Sequence, residues 1–343
     1  MNHPRIRSAG IVLVVGLLGA FLAAILWGAV SLPLVQTLQV LMNPGTPISN
    51  LPPELRRVYS IIWHIRLPRA VVAATAGAAL ALSGASIQGL FRNPLASPDV
   101  LGISAGSSLG AVIAIASGFS AIHPLGISLG AFGGSVFAAL VVYSISTQPG
   151  GTHLLYLVLA GLAVSSLLSG LVSGVLIMTQ EYALSQFFFW TMGGMEGASW
   201  SRVLPPLPFM GIAMVILLAL SQPLNLLSLG EEQAFSLGVS PEKLKLIILI
   251  TASTLTALAV AVAGPIGFVG LMIPHGIRLL TGPNHRSLLP LSALGGATFL
   301  LVADLIGRTL IAPREIKTGI ITSLIGGPYF IYLILRHRKG GLV

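Results

Sequence analysis

The chain has 343 residues, of which 55% are hydrophobic and only 8% are charged. Average globular proteins carry roughly 25% charged residues, so this composition excludes a soluble surface. The 18 Lys and Arg and the 9 Asp and Glu are bunched, leaving membrane-length stretches with no charge at all, and the absence of cysteine excludes disulfides, thiolate metal sites and thiol chemistry.

Crossing ~30 Å of hydrocarbon takes about 20 helical residues. Arg5 and Arg7 precede an apolar run from Ile11 to about Val35. That run exceeds the apolar core of an ordinary signal peptide, about 7 to 15 residues, and predicts a retained first span near 11–35. Further spans are predicted near 68–90, 100–118, 125–145, 154–178, 203–221, 245–263, 267–280, 287–307 and 317–335. The uncharged stretch from 100 to 180 is divided by turns at Ser117–Pro124 and at Ser144–His153, the second carrying Pro149-Gly150-Gly151. Membrane strands would alternate in and out over about ten residues, whereas these runs are continuously apolar and rich in Leu, Ala and Gly. The predicted class is therefore all-α and polytopic, with ten transmembrane helices. The eighth run is short, and Gly264-Pro265 before it predicts a broken helix, which membranes tolerate only where protein or a cavity covers the backbone.

Small residues recur at helical spacing: Gly102, Gly106 and Gly110, then Gly126, Gly130 and Gly134, then Gly170 and Gly174. Such stripes let helix backbones approach closely and predict bundle packing. Arg66 to Pro94 and Lys243 to His275 echo each other, each a long helix ending in a Gly-rich break. Five spans separate the two, and an odd offset reverses direction, the pattern of an inverted repeat. An even number of spans puts both termini on one side, and the terminal Lys and Arg clusters assign that side to the cytoplasm. Arg56, Arg57, Arg66, Arg69, Arg202, Arg308, Arg314 and Lys317 then fall outside, against the insertion bias, and an acidic partner is the simplest use for them.

Candidate chemistry is sparse. Gly102-Ile103-Ser104-Ala105-Gly106 fits G-x-S-x-G, but the nucleophile elbow belongs on a strand-to-helix turn, and here the serine opens a membrane helix. Histidines are scattered without metal-ligand spacing, and no H-E-x-x-H occurs, so neither a catalytic nor a metal site is assigned. None of the lysines follows a glycine, which excludes a P-loop and places any ATP hydrolysis on a separate subunit. Asp304 is the acidic residue well inside a span, with Arg308 one turn later. An ion-coupled secondary transporter usually needs intramembrane carboxylates, so this alternative is disfavoured. The polar stretch from Ser221 to Lys245 reads as two short amphipathic helices on the cytoplasmic face, with Ala234, Leu237 and Val239 placed to dock another protein.

Taken together, Arg66-Leu67-Pro68-Arg69, Gln88-Gly89-Leu90-Phe91-Arg92-Asn93-Pro94-Leu95-Ala96-Ser97-Pro98-Asp99, Gly264-Pro265-Ile266-Gly267-Phe268-Val269-Gly270 and Gly326-Gly327-Pro328-Tyr329-Phe330 resemble the permease subunits of type II ATP-binding-cassette importers. That family serves ferric siderophores, haem and cobalamin. The resemblance runs from about 56 to 336. It implies a single permease domain over residues 1–343 with the family's inverted-repeat fold, in the bacterial plasma (inner) membrane with both termini cytoplasmic. Its implied partners are a second copy in a homodimer, two ATPase subunits that hold ATP and Mg, a periplasmic or lipid-anchored binding protein and membrane lipid, with no nucleic acid and no cofactor on this chain. The cargo it implies is a metal chelate, a ferric siderophore first, with haem or cobalamin as alternatives.

Residue roles carry over by position. Arg66, Arg69 and Arg308 would receive acidic residues of the binding protein. A cytoplasmic loop at about 222–245, with Gly230, Glu231, Glu232, Ala234, Leu237 and Gly238, would seat in the ATPase. Thr152, His153, Leu154 and Leu155 would form the cytoplasmic gate, made apolar by its two leucines. Gln186, Phe189 and Trp190 would line the cavity.

Overall fold

The computed structural model describes residues 3–43, 48–148 and 151–339. Its apolar runs are helical because, without water, each backbone N–H and C=O must be bonded within its own segment. The end of the bundle at which the chain begins is termed the near end, the opposite one the far end.

Helix α1 (His3–Leu26) runs from near to far. The expected first span, 11–35, is corrected here: α1 stops at Leu26, and after a bent segment a separate short helix, α2 (Leu34–Met42), lies at the far end. The chain returns through α3 (Pro53–Ser60), a π-helical turn at Ile61–Arg66 and α4 (Leu67–Phe91), continuous over Pro53–Phe91. Next come α5 (Ile103–Ala116), the far-end turn α6 (Phe119–Ile122) and α7 (Gly126–Ser146). At the near end Thr147–Gln148 pairs antiparallel with Gly151–Thr152; Pro149 and Gly150, inside the turn read there from sequence, lie outside the described residues. Helix α8 (Leu154–Ile177) crosses back, and α9 (Glu181–Thr191) and α10 (Trp200–Val203) occupy the far end.

Helices α11 (Leu207–Ala219) and α12 (Ser221–Leu227) form one path bent by 44°. The near-end loop then holds a single further helix, α13 (Glu231–Ser236), because the first of its two expected short helices is this bent continuation. Helices α14 (Pro241–Ala263), α15 (Val269–Thr281), α16 (His285–Thr309) and α17 (Thr318–Lys339) complete the chain.

Seven of these helices are long and apolar enough to cross a membrane, and the α11–α12 pair makes an eighth. The other two expected spans are α5 and α15, apolar but only 14 and 13 residues long. At 1.5 Å per residue each covers about 20 Å, and each is preceded by a break: a 3-10 turn at Pro98–Leu101 before α5, and the non-helical residues 264–268 before α15. Those breaks remain satisfied. The Ala263 carbonyl at the end of α14, for example, accepts from Gly194 N–H at 2.7 Å.

Helix α4 is the hub, buried on nearly every side. Its sequence makes that possible, since Ala and Gly let neighbouring backbones close in. A Cβ on Gly77 would strike the Gly296 carbonyl on α16, and one on Gly84 the Gly270 carbonyl on α15. Gly106 and Gly110 of α5 mesh in the same way with Gly134 and Gly130 of α7. Gly170 and Gly174 on α8 face open space instead, so that stripe packs against nothing among the described residues. The segments α4–α5 and α14–α15 run in opposite directions, and their two breaks face each other across a cavity of about 270 Å³ lined by Ser97, Asp99, Ser104, Gly267 and Phe268.

Gly84→Ala should therefore force the α4–α15 contact apart and destabilise the protein by about 1–3 kcal/mol, read as a lower thermal midpoint in detergent. Gly211→Ala on α11, where a Cβ meets nothing within 4 Å, should leave the midpoint unchanged or slightly raised.

Candidate functional site

At the near end, Pro241 opens α14 and Glu242 and Lys245 follow at i and i+3. Lys245 is 4% exposed, and its ammonium donates to Glu242 Oε1 at 2.8 Å, Glu231 Oε2 at 2.9 Å and the Thr152 carbonyl at 3.3 Å. Glu242 Oε2 accepts from Thr152 N–H at 2.8 Å. Gly151, at φ +117°, brings its backbone against the Glu242 carboxylate, where a Cβ would lie 2.8 Å from the carboxyl carbon. Thr152 also pairs with Thr147 across the short ladder. Thus the expected gate segment and the expected coupling loop are bonded to each other through the base of α14.

Of the gate residues, Thr152 is buried, His153 is exposed and stacks edge-on against Tyr156, and Leu154 starts α8. Leu155 is 68% exposed and continues into Leu159 and Leu162 as a bare apolar stripe. In the loop, Gly230 precedes α13 at φ +132°, Ala234 is fully buried, and Phe235 and Leu237 are 70% and 58% exposed. Glu232 is exposed, and Gly238 closes the turn at φ +86°. A second tie fixes the start of the loop: the Asn225 side-chain carbonyl accepts from His285 N–H at 2.8 Å, while its amide donates to Asn284 at 2.9 Å.

At the far end, Arg66, Arg69 and Arg308 come together but do not face outward. All three are buried, because each has an internal acceptor, and the i,i+4 spacing of Asp304 and Arg308 was the one part of this visible in the sequence. Arg69 donates to both oxygens of Asp304 at 2.9–3.0 Å and to Glu315 at 2.7 Å. Asp304 also accepts from Thr318 at 3.1 Å and lies 3.5 Å from Arg308. Arg308 donates to the Ala24 carbonyl and Arg66 to those of Ile25 and Leu26, each at 2.7 Å, with a further bond to Val30. The two guanidinia thereby cap the end of α1, where helix carbonyls lack partners and the dipole favours positive charge. Exposed positive charge at this end comes from Arg56, Arg57, Arg202 and Arg314.

Gln186, Phe189 and Trp190 line a cavity of about 240 Å³ beside α14, together with Glu196, Arg202 and Lys317. Lys317 pairs with Glu196 and sits 5.6 Å from the centre of the Phe189 ring. Ser104 donates to the Asp99 carboxylate, which makes it a turn residue at the start of α5. His123 is a loop residue, accepting from Leu125 N–H and stacked on Phe119. The sequence reading missed the Glu231–Lys245–Glu242 cluster; its one visible signal was the i,i+3 spacing of Glu242 and Lys245 at a helix start.

Comparison with known proteins agrees with this architecture. A model described as the FecCD transport family matches residues 15–336. The cobalamin import system permease protein BtuC of Halobacterium salinarum is 44% identical over 295 residues, 86% of this chain and 78% of that one. The hemin transport system permease protein HmuU of Yersinia pestis is 44% identical over 285 residues, 81% and 85% of the two chains. Among solved structures, a metal-chelate type ABC transporter in an inward-facing conformation superposes with a TM-score of 0.81 at 34% identity, covering 97% of this chain and 99% of that one.

Asp304→Ala should leave Arg308 with the Ala24 carbonyl alone and Arg69 with Glu315 alone. Breaking a buried pair costs about 3–5 kcal/mol, so the purified variant should show a steep fall in thermal midpoint or fail to accumulate.

Proposed function

The chain belongs to the FecCD transport family, and from that premise we propose that it is the membrane-spanning permease subunit of an ATP-driven importer that carries a metal chelate from a binding protein into the cell. The resemblance puts a ferric siderophore first as cargo. Haem and cobalamin follow, since permeases named for those two cargoes are equally similar to this chain.

The observation that carries this reading is the near-end loop. Helix α13 presents exposed Phe235 and Leu237 beside Glu231 and Glu232, an apolar patch with an acidic rim that suits docking by another protein. With no P-loop in the sequence, that protein is the ATPase, carrying ATP and Mg. The near end is then cytoplasmic, as Arg5, Arg7, Arg92 and Lys243 favour.

A second copy of the chain packs on α8, whose open Gly170 and Gly174 and bare Leu155, Leu159 and Leu162 form a face of the kind that associates in lipid. The binding protein docks at the far end over Arg56, Arg57, Arg202 and Arg314. Arg66, Arg69 and Arg308 lie beneath that face and take up an acidic residue of the partner only by releasing an internal acceptor. ATP binding closes the ATPase subunits, the near-end loops follow, and the two permease copies rock between inward- and outward-facing states. The cavity at Gln186, Phe189 and Trp190 lies on the cargo's way in.

Secondary transport is the competing reading. Asp304, the intramembrane carboxylate it would use, is already held by Arg69, Arg308 and Thr318, which favours a structural role.

Reconstituted alone, the chain should neither hydrolyse ATP nor import ferric chelates; adding its P-loop subunit, its chelate-loaded binding protein and ATP should start both, whereas uptake driven by a proton or sodium gradient would overturn the proposal. Phe235→Asp with Leu237→Asp should weaken ATPase binding about tenfold or more in detergent pull-down, with the thermal midpoint unchanged because both side chains are exposed.

A further inference from the structure

Thr152 is held at both of its peptide groups by two side chains from the first turn of α14: Glu242 takes its N–H, and Lys245 donates to its carbonyl. An ammonium has three N–H donors and no acceptor. Those of Lys245 go to three different pieces of the protein: Glu242 on its own helix, Thr152 in the segment leading into α8, and Glu231 at the start of α13. A buried lysine whose only role was to be neutralised would need a single carboxylate. This one bridges elements that are far apart in sequence and that the permease reading assigns to different tasks.

We infer that Lys245 is the positioning residue through which movement of the ATPase-docking helix α13 reaches the gate segment at 152–155. This inference rests on the permease reading above. The two ends of the link differ in burial. The Lys245 side chain is 5% exposed, while those of Glu231 and Glu242 are 48% and 45% exposed, so the ammonium is desolvated and both carboxylates keep contact with water. Glu242 is fixed further by its bond to Thr152 N–H. Among the described residues the Glu231 carboxylate bonds the ammonium alone, so α13 is tethered rather than fused.

Downstream the path is short and stiff. Thr152 is paired with Thr147, His153 N–H donates to the Ser146 carbonyl at 3.3 Å, and Leu154 and Leu155 form the first turn of α8. A displacement of Glu231 therefore pulls on the peptide immediately before the gate leucines. Ala234, fully buried, supplies the pivot that keeps α13 seated while its first turn moves.

The cysteine-free chain permits a single-site reporter. In proteoliposomes containing the permease with its ATPase subunit, Leu155→Cys is labelled with a membrane-impermeant maleimide, with and without MgATP and vanadate. ATP should change the labelling rate in this background. Lys245→Met and Glu231→Gln, introduced separately, should each reduce that ATP-dependent change about fivefold or more, and in Lys245→Met, whose side chain is buried away from the docking patch, the ATPase should co-purify at the same ratio and still hydrolyse ATP. Full ATP response in either variant would overturn the relay and leave the permease reading standing. Loss of ATPase binding in Lys245→Met would also overturn it, by making the lysine part of the docking surface. Absence of an ATP response in the Leu155→Cys background itself would overturn the gate assignment, and the relay with it.

Discussion

Asp304 joins helices from inside the bundle, and the far end of the molecule is organised around it. It lies on α16, receives Arg69 from α4 and Thr318 from α17, and stands beside Arg308, which with Arg66 closes the last carbonyls of α1. In hydrocarbon a carboxylate or a guanidinium without a partner is costly, so each member holds the others in place. The geometry also fixes where α1 can end. Three successive carbonyls, Ala24, Ile25 and Leu26, are taken by arginines, and Gly28 leaves just enough room, since a Cβ there would be 3.3 Å from the Arg66 guanidinium.

The two ends solve the same problem in different ways. At the far end positive charge is buried against an acid that is 2% exposed, which gives a rigid joint. At the near end the acids around Lys245 stay half in water, and breaking one of those bonds uncovers no fully buried carboxylate. A transporter needs both kinds of joint: a fixed frame, and a linkage that moves when the subunit below it moves. Between them the α4–α16, α4–α15 and α5–α7 contacts are glycine against glycine. These leave little freedom within the bundle, so rearrangement falls to the loops and to the breaks at 98–101 and 264–268.

Much of this was legible in the sequence because hydrocarbon is an unforgiving solvent. Charge-free length gave the helices, Gly264-Pro265 gave the broken eighth run, and the opposed echoes of 66–94 and 243–275 gave the inverted repeat. The glycine stripes predicted packing, and Gly106, Gly110, Gly130 and Gly134 pack as read. Gly170 and Gly174 do not, because periodicity marks a face without saying what covers it. The first span ran too far for a related reason: Trp27 to Val35 is as apolar as a helix, and only the arginines capping its carbonyls show that the helix has ended.

By itself the sequence determined the class, the approximate placement of the spans, the lack of a P-loop motif and a family resemblance resting on several ordered motifs. Only the tertiary structure decided what the charged residues do. Arg66 and Arg69 read from sequence as free cations on the outer face, yet their acceptors are supplied by α1, by Asp304 and by a glutamate in the loop before α17. Lys245 read as one more basic loop residue, yet it bonds three segments. A charge counts equally wherever it stands in a sequence, but its effect depends on distance and on the surrounding dielectric, and both are set by which helices pack together.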